Sequence, residues 1–348
     1  MKSILIGVII MLVVMLSLGF AISRVSLHDN DDSQQDSSEQ VETEQIPYYG
    51  FAGYTPTNFP DSTAEEARQF YRDIDQYAEI YGVHTDWEET SIVDATIQNS
   101  DLDLVVVLGF QDPAQWENDQ DEYIAKALQL LEKYPEIKYF GIGNETNLFK
   151  YQYPDVGDSF YEYYKEIYTE LKTAYPDVIF FTVFQYEAFL GNSYLSGKID
   201  VYEEDWYLLQ ELDGYMDLAV FTSYPSFDYP TPDQIPDDYY SRISEHSHLP
   251  VAFSEIGWPS QSQFEGAFET LNGTGYEGSE EEQLHFLNRF NFLVASSRLH
   301  FANWLFLNDP VDWENGATLQ MPLANSTGMR TYKGQSKAVF ERWVEITE

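Results

Sequence analysis

The fold is decided by residues 104–147, where two apolar runs flank an amphipathic segment. The first run is LVVVLGF (104–110), the amphipathic segment is YIAKALQLLEKY (123–134), and the second run is KYFGIG (138–143). Near-continuous apolar runs are typical of parallel strands that are buried on both faces. The middle segment repeats apolar residues at spacings of three and four, which predicts a helix. Together they predict a strand–helix–strand unit of an α/β protein.

The same alternation continues in both directions along the chain. Helical segments begin at capping boxes such as Thr63-x-x-Glu66 and Ser279-x-x-Glu282. Eight strands, each followed by a helix over roughly 300 residues, predict a (β/α)8 barrel of the TIM-barrel type. A doubly wound open sheet alternates in the same way and is the alternative. The predicted strands are Tyr48–Tyr54, Tyr77–His84, Leu104–Phe110, Lys138–Gly143, Val178–Gln185, Leu218–Tyr224, Val251–Ile256 and Ala302–Leu307.

The first 45 residues differ in composition from the rest of the chain. An apolar run of 19 residues, Ile4–Ile22, follows a short basic start, which predicts a signal peptide or a membrane anchor over residues 1–23. Whether this segment is a cleaved signal peptide or a retained anchor, the remainder of the chain is expected to be extracellular or at the cell surface. Membrane contact is expected only through this helix, if it is not cleaved. Residues 24–45 are acidic and polar, so we expect a disordered linker. Residues 46–348 are then the barrel domain.

Charge and cysteine content exclude several classes of function. The chain has 18 Lys and Arg against 59 Asp and Glu, a net charge of −41, which argues against nucleic-acid binding. Acidic groups in such number repel one another, and molar salt screens this repulsion within about 3 Å. We therefore expect a halophilic source, with an ordinary acidic secreted protein as the alternative. The absence of Cys excludes disulfides and thiolate metal sites, and the 6 His show no metal-ligand spacing. No metal or other cofactor is expected.

Two glutamates close apolar strands at positions where a charge is costly. Glu145 follows KYFGIGN (138–144), and Glu255 follows VAFS (251–254). In a barrel the carboxyl ends of the strands carry the catalytic groups. A buried charge there is costly unless it is paired or functional. A pair of carboxylates on one face is what glycoside hydrolysis requires, and retaining enzymes hold them only ~5–5.5 Å apart.

The two surrounding segments resemble a known group of enzymes. GIGNET (141–146) and SEIGWPS (254–260) resemble the acid/base and nucleophile signatures of the clan A glycoside hydrolases. They are most similar to those of the endo-β-1,3-glucanase type, and the likeness to endo-galactanases is also fair. The resemblance implies a retaining double displacement with Glu145 as acid/base and Glu255 as nucleophile.

The same resemblance implies three substrate-binding roles. Asn144 would hydrogen-bond the sugar 2-hydroxyl group. Tyr224, in FTSYPSF (221–227), would orient the nucleophile, and Trp304, in NWLFLND (303–309), would form an aromatic platform under the sugar.

Further candidates come from their positions at strand ends. Trp258 either stacks on a sugar or packs in a turn, and the two interpretations have similar weight. His84 either hydrogen-bonds substrate or a carboxylate, or is structural. Weaker candidates at the ends of the fifth and eighth strands are Gln185, Tyr186 and Asp309.

The residues as a whole predict a retaining glycoside hydrolase that cleaves O-glycosidic bonds of an extracellular poly- or oligosaccharide. Burial is expected to keep Glu145 protonated near neutral pH while Glu255 is ionised. One alternative is a secreted or surface-anchored carbohydrate-binding protein that has the barrel but no catalysis. Another is a transglycosylase that uses the same residues.

Overall fold

A computed structural model describes residues 47–53, 64–85, 90–110, 116–153, 157–191, 203–262, 275–312 and 322–347. The predicted signal or anchor segment and the predicted linker lie outside these residues. Among the helices of the described ranges, none is both long and apolar enough to cross a bilayer.

The described strands form one sheet in which every pair is parallel. Its order is β5-β4-β3-β2-β1-β9-β8-β7-β6. All eight predicted strands are present, with shifted ends: Tyr77 lies in a helix rather than in the second strand, and the last strand begins at Leu299. The strands are β1 (Tyr48–Ala52), β2 (Ile80–Thr85), β3 (Asp103–Leu108), β4 (Ile137–Ile142), β5 (Ile179–Phe181), β6 (Val183–Gln185), β7 (Ala219–Ser223), β8 (Val251–Ile256) and β9 (Leu299–Leu305).

The two edges of this sheet are halves of one interrupted strand. β5 and β6 are separated only by Thr182; β5 pairs with β4, whereas β6 pairs with β7. The first strand, β1, lies between β2 and the last strand, β9. The sheet therefore closes into a barrel with eight strand positions. This confirms the α/β barrel and shows that the open doubly wound sheet is wrong.

Helices follow the strands and cover the outside of the barrel. The predicted cap at Ser279 is confirmed, because its hydroxyl accepts a hydrogen bond from the Glu282 amide at 3.0 Å. The predicted cap at Thr63 lies outside the described residues. The described helices are α1 (Ala64–Tyr77), α2 (Ser91–Asn99), α3 (Trp116–Lys133), α4 (Phe149–Gln152), α5 (Phe160–Ala174), α6 (Tyr186–Phe189), α7 (Tyr207–Glu211), α8 (Ile243–His246), α9 (Glu280–Val294) and α10 (Ala338–Thr347).

The core has two layers because successive strand residues face opposite sides of the sheet. Along β3, Val105 and Val107 belong to a cluster made of strand residues inside the barrel. Val106, between them, packs with helix residues such as Tyr123 in the outer cluster. Both faces are thus apolar, which explains the continuous hydrophobic runs in the sequence.

A buried ion pair joins the end of the chain to the barrel. The Lys337 ammonium group lies 2.7 Å from Asp309 Oδ1, and the two side chains are 2% and 0% exposed. The same ammonium group donates to the Ser326 and Gly328 carbonyl oxygens and to the Ser260 hydroxyl. Asp309, a weak candidate for sugar binding, therefore has a structural role as the partner of Lys337.

We predict that Lys337→Met lowers the free energy of unfolding by about 3–5 kcal/mol, because it leaves the Asp309 carboxylate buried without its counter-charge. Denaturant unfolding at fixed salt measures the loss. The matched control is Arg342→Met, whose ion pair with Glu345 is 42% and 66% exposed. The control is expected to cost less than about 1 kcal/mol. Equal losses for the two variants would contradict the assignment.

Candidate active site

Glu145 lies three residues beyond β4 in a strained backbone conformation. Its φ is 48°, in the left-handed region, and it leads into a 3-10 turn at Thr146–Leu148. The residue is 8% exposed. A non-glycine residue rarely adopts this conformation, and such strain is characteristic of functional sites.

One hydrogen bond ties Glu145, after β4, to β7, which lies two strand positions away around the barrel. The Thr222 hydroxyl, on β7, donates to Glu145 Oε1 at 2.7 Å. Thr222 is also the register partner of Glu255 on β8. The contact therefore brings the Glu145 carboxylate beside the strand position that pairs with Glu255.

Glu255 is held by two side chains from other strand ends. The Tyr224 hydroxyl donates to Glu255 Oε2. His84 Nδ1, on β2, lies 3.2 Å from Glu255 Oε1. Both contacts lie at the carboxyl ends of the strands, which is also where Glu145 lies. Four predicted site residues therefore come together there: His84, Glu145, Tyr224 and Glu255.

Burial raises the pKa of both carboxyl groups, and their different neighbours separate the two values. Desolvation raises the pKa of Glu145 to about 8, and the negative charge of Glu255 adds to the rise. Desolvation raises the pKa of Glu255 to about 7, while the hydrogen bond from Tyr224 opposes it. Glu145 is thus the group that holds its proton to higher pH, as predicted, whereas Glu255 titrates near neutral pH instead of being fully ionised there.

His84 binds Glu255 as a neutral ring. Burial lowers the pKa of His84 well below its usual value, so the imidazole is uncharged at pH 7. Since a carboxylate only accepts, Nδ1 carries the proton and donates it to Glu255. Nε2 is then an acceptor, and within the described residues it is buried without a partner.

Asn144 precedes Glu145 and offers a free acceptor. Its Oδ1 is buried and has no hydrogen-bond partner in the described ranges. The neighbouring Asn147 has a different role, since its amide bonds both the carbonyl and the N–H of Gln185 at 3.0 and 2.8 Å. This second asparagine fixes the segment after β4 to the end of β6.

Both candidate tryptophans are buried in the core, so Trp304 does not form the platform that the resemblance implies, whereas Trp258 fits its packing alternative. Trp304 and Trp258 are both 0% exposed, and both indoles pack on Phe286 of α9, at 5.9 and 5.6 Å between ring centroids. Their N–H groups donate to the carbonyl oxygens of Thr327 and Glu277. Alternation explains Trp304: its strand position shares the outer face with core residues, so it faces the helices rather than the barrel mouth.

The weaker candidates surround a third acid that the sequence analysis missed. The Gln185 amide donates to Glu187 Oε2 at 2.5 Å. Tyr186 is 0% exposed and its hydroxyl binds the Tyr239 carbonyl oxygen, so it packs inside the fold. Glu187 follows a strand of apolar residues, which is the same signal that indicates Glu145 and Glu255.

Metal binding finds no support in the described ranges. No group of three or more His, Cys, Asp or Glu side chains there is arranged to hold a metal ion.

Comparisons with known proteins show which solved structures share this fold. No family model and no curated protein matches the sequence. Similar solved structures include a β-glucuronidase of an uncultured Clostridium species (TM-score 0.57, 11% identity, 86% of this chain and 50% of that chain). Another is a family 39 glycoside hydrolase of Bacteroides cellulosilyticus WH2 (TM-score 0.59, 14% identity, 86% and 63%).

A third similar structure is the GH2 β-galacturonidase of Eisenbergiella tayi bound to galacturonate (TM-score 0.55, 15% identity, 87% of this chain and 51% of that chain). This chain spans between half and two thirds of the three longer proteins. At these identities the likeness shows a shared fold, which is the barrel expected for a clan A glycoside hydrolase.

We predict that Tyr224→Phe raises the pKa of Glu255 above its value of about 7. A hydrogen bond to a charged group contributes about 1.5–3 kcal/mol, which corresponds to about 1–2 pKa units. Carbon-13 NMR titration of the glutamate carboxyl groups measures the change. Tyr332→Phe, at a 40% exposed tyrosine, is the control. An unchanged Glu255 titration in Tyr224→Phe would show that the hydroxyl does not bind the ionised carboxylate.

Proposed function

We propose that this chain is a retaining glycoside hydrolase, with Glu145 as acid/base and Glu255 as nucleophile. The observation that carries the proposal is the pair of buried carboxyl groups at one barrel end, where Thr222 binds Glu145 while Tyr224 and His84 bind Glu255. Such a pair is the general requirement for cleavage of a glycosidic bond.

In the first step, protonated Glu145 donates its proton to the glycosidic oxygen. Ionised Glu255 attacks the anomeric carbon, the bond from that carbon to the leaving oxygen breaks, and a glycosyl ester forms on Glu255. Tyr224 and His84 donate to the two oxygens of Glu255 before the attack. These donors hold the carboxylate in one orientation and stabilise its charge.

In the second step, Glu145 acts as a base. It removes a proton from water, the water oxygen attacks the anomeric carbon, and the ester bond to Glu255 breaks. The charge of Glu255 is absent while the ester exists. Because that charge is one of the causes that raise the pKa of Glu145, its loss lowers the pKa and favours the ionised base.

The fold comparisons support the same class of reaction. The three similar structures named above are all glycoside hydrolases by description. A carbohydrate substrate is therefore the partner proposed for this chain. We propose that this substrate is an extracellular poly- or oligosaccharide. The apolar run at Ile4–Ile22 supports the extracellular part, because it is typical of export or of anchoring at the cell surface.

The acidic composition supports a saline environment for this activity. The net charge of −41 would repel itself strongly in dilute buffer and far less at molar salt. Assays are therefore designed at molar salt, with a low-salt series beside them.

We predict that the chain releases reducing sugar from at least one member of a panel of β-glucans, galactans and uronic-acid glycans. Glu145→Gln and Glu255→Gln each remove a group needed for the chemistry, so kcat is expected to fall by about 10³-fold or more. Glu132→Gln, on the exposed side of α3, is the matched control. Binding without turnover by the unchanged chain would favour a carbohydrate-binding protein, and products longer than the substrate would favour transglycosylation.

We also predict a bell-shaped dependence of kcat/KM on pH. Glu255 must be ionised, so activity rises as pH passes its pKa of about 7. Glu145 must be protonated, so activity falls as pH passes its pKa of about 8. The optimum is expected between these limits. The profile is measured from about pH 5 to pH 9, about two pH units on either side of the Glu255 pKa. A flat profile over that range would contradict the assignment.

A further inference from the structure

A third buried carboxylate, Glu187, lies at the same end of the barrel as Glu145 and Glu255. It belongs to the short helix α6, directly after β6, and is 0% exposed. The reaction steps proposed above do not use it. A fully buried carboxyl group is costly unless its oxygens are satisfied.

Four donors satisfy the Glu187 carboxylate. Its Oε1 accepts from the Ser223 hydroxyl at 2.7 Å, the Tyr224 main-chain N–H at 3.0 Å and the Tyr239 hydroxyl at 3.1 Å. Its Oε2 accepts from the Gln185 amide at 2.5 Å. These donors come from the end of β6, the end of β7 and the segment before α8.

The arrangement fits the ionised form of Glu187. An amide N–H and a main-chain N–H can only donate, so they require an acceptor at both carboxylate oxygens. The Tyr240 hydroxyl lies 2.8 Å from Ser223 Oγ, so it can supply the hydrogen bond that frees the Ser223 proton for Glu187. Hydrogen bonds from Ser223, Tyr224 and Tyr239 all oppose the rise in pKa that burial causes.

Tyr224 connects Glu187 to the proposed nucleophile. Its main-chain N–H binds Glu187, and its phenol hydroxyl binds Glu255. The end of β7 is thus fixed by one carboxylate so that it can present a donor to another. The charge of Glu187 also acts on Glu145, where it raises the pKa.

We propose that Glu187 is a positioning residue for the proposed hydrolysis: it fixes the end of β7 so that the Tyr224 hydroxyl is held against Glu255. This inference rests on the proposed function of the site. It assigns a role to the segment QYEAF (185–189), which the sequence motifs leave without one.

The test compares Glu187→Gln, Glu187→Ala and Tyr239→Phe with the unchanged chain. Glu187→Ala removes the acceptor of the Tyr224 main-chain N–H and releases Tyr224, so the pKa of Glu255 rises and the acidic limb of the pH profile moves up by roughly one unit. Glu187→Gln keeps one acceptor oxygen for Tyr224 but sets its NH2 group against the Gln185 donor, so a smaller upward movement is expected. Tyr239→Phe removes one donor and keeps the contact between Glu187 and Tyr224, so the acidic limb stays in place.

Carboxyl-carbon NMR titration and thermal unfolding accompany the kinetics. If Glu187→Ala lowers only the melting temperature, while the acidic limb and the Glu255 titration stay unchanged, Glu187 is merely structural and the inference is wrong. If no glycan is turned over by the unchanged chain, the proposed function fails, whereas the Glu255 titration in Glu187→Ala still decides whether Glu187 positions Tyr224. Should Glu187→Ala not fold, the isosteric Glu187→Gln carries the test.

Discussion

Closure of the sheet between β5 and β6 brings Glu145 and Glu255 to one barrel mouth. In an open sheet of the same strand order, five steps of about 4.8 Å would hold the ends of β4 and β8 about 24 Å apart. The closed barrel instead lets Thr222, on β7, donate to Glu145 while its register partner on β8 is Glu255. The barrel closes at Thr182, the single residue between the two edge strands β5 and β6.

Burial of like charges then determines how the site behaves. Three carboxyl groups occupy one barrel end, and burial raises the pKa of each one. Among the described residues the hydrogen-bond donors are unequally shared: Glu187 receives four, Glu255 receives two, and Glu145 receives one from Thr222. The least satisfied group has the pKa of about 8 and is the proposed proton donor. Differences in hydrogen bonding therefore assign the roles that two similar glutamates could otherwise exchange.

Much of this architecture could be predicted from sequence because parallel strands and their ends leave local signals. Apolar runs give the eight strands, and a charge that closes such a run gives Glu145 and Glu255. The face of Trp304 could not be predicted, because register shifts between β8 and β9 decide which residues point outward. Thr222 acts on Glu145 from a strand far away in sequence, so no local pattern indicates it, whereas Glu187 follows an apolar run just as Glu145 and Glu255 do. The predicted export segment and the saline habitat remain predictions from composition.

Formation of a covalent ester on Glu255 is the central claim, and trapping that ester tests it most directly. A 2-deoxy-2-fluoro glycoside with a good leaving group slows the second step, so the glycosyl enzyme accumulates. Peptide mapping by mass spectrometry then locates the added sugar. The account predicts a single label on the peptide that contains Glu255, and no label in Glu255→Gln. A label on Glu145 or Glu187, or turnover without any trapped ester, would contradict it.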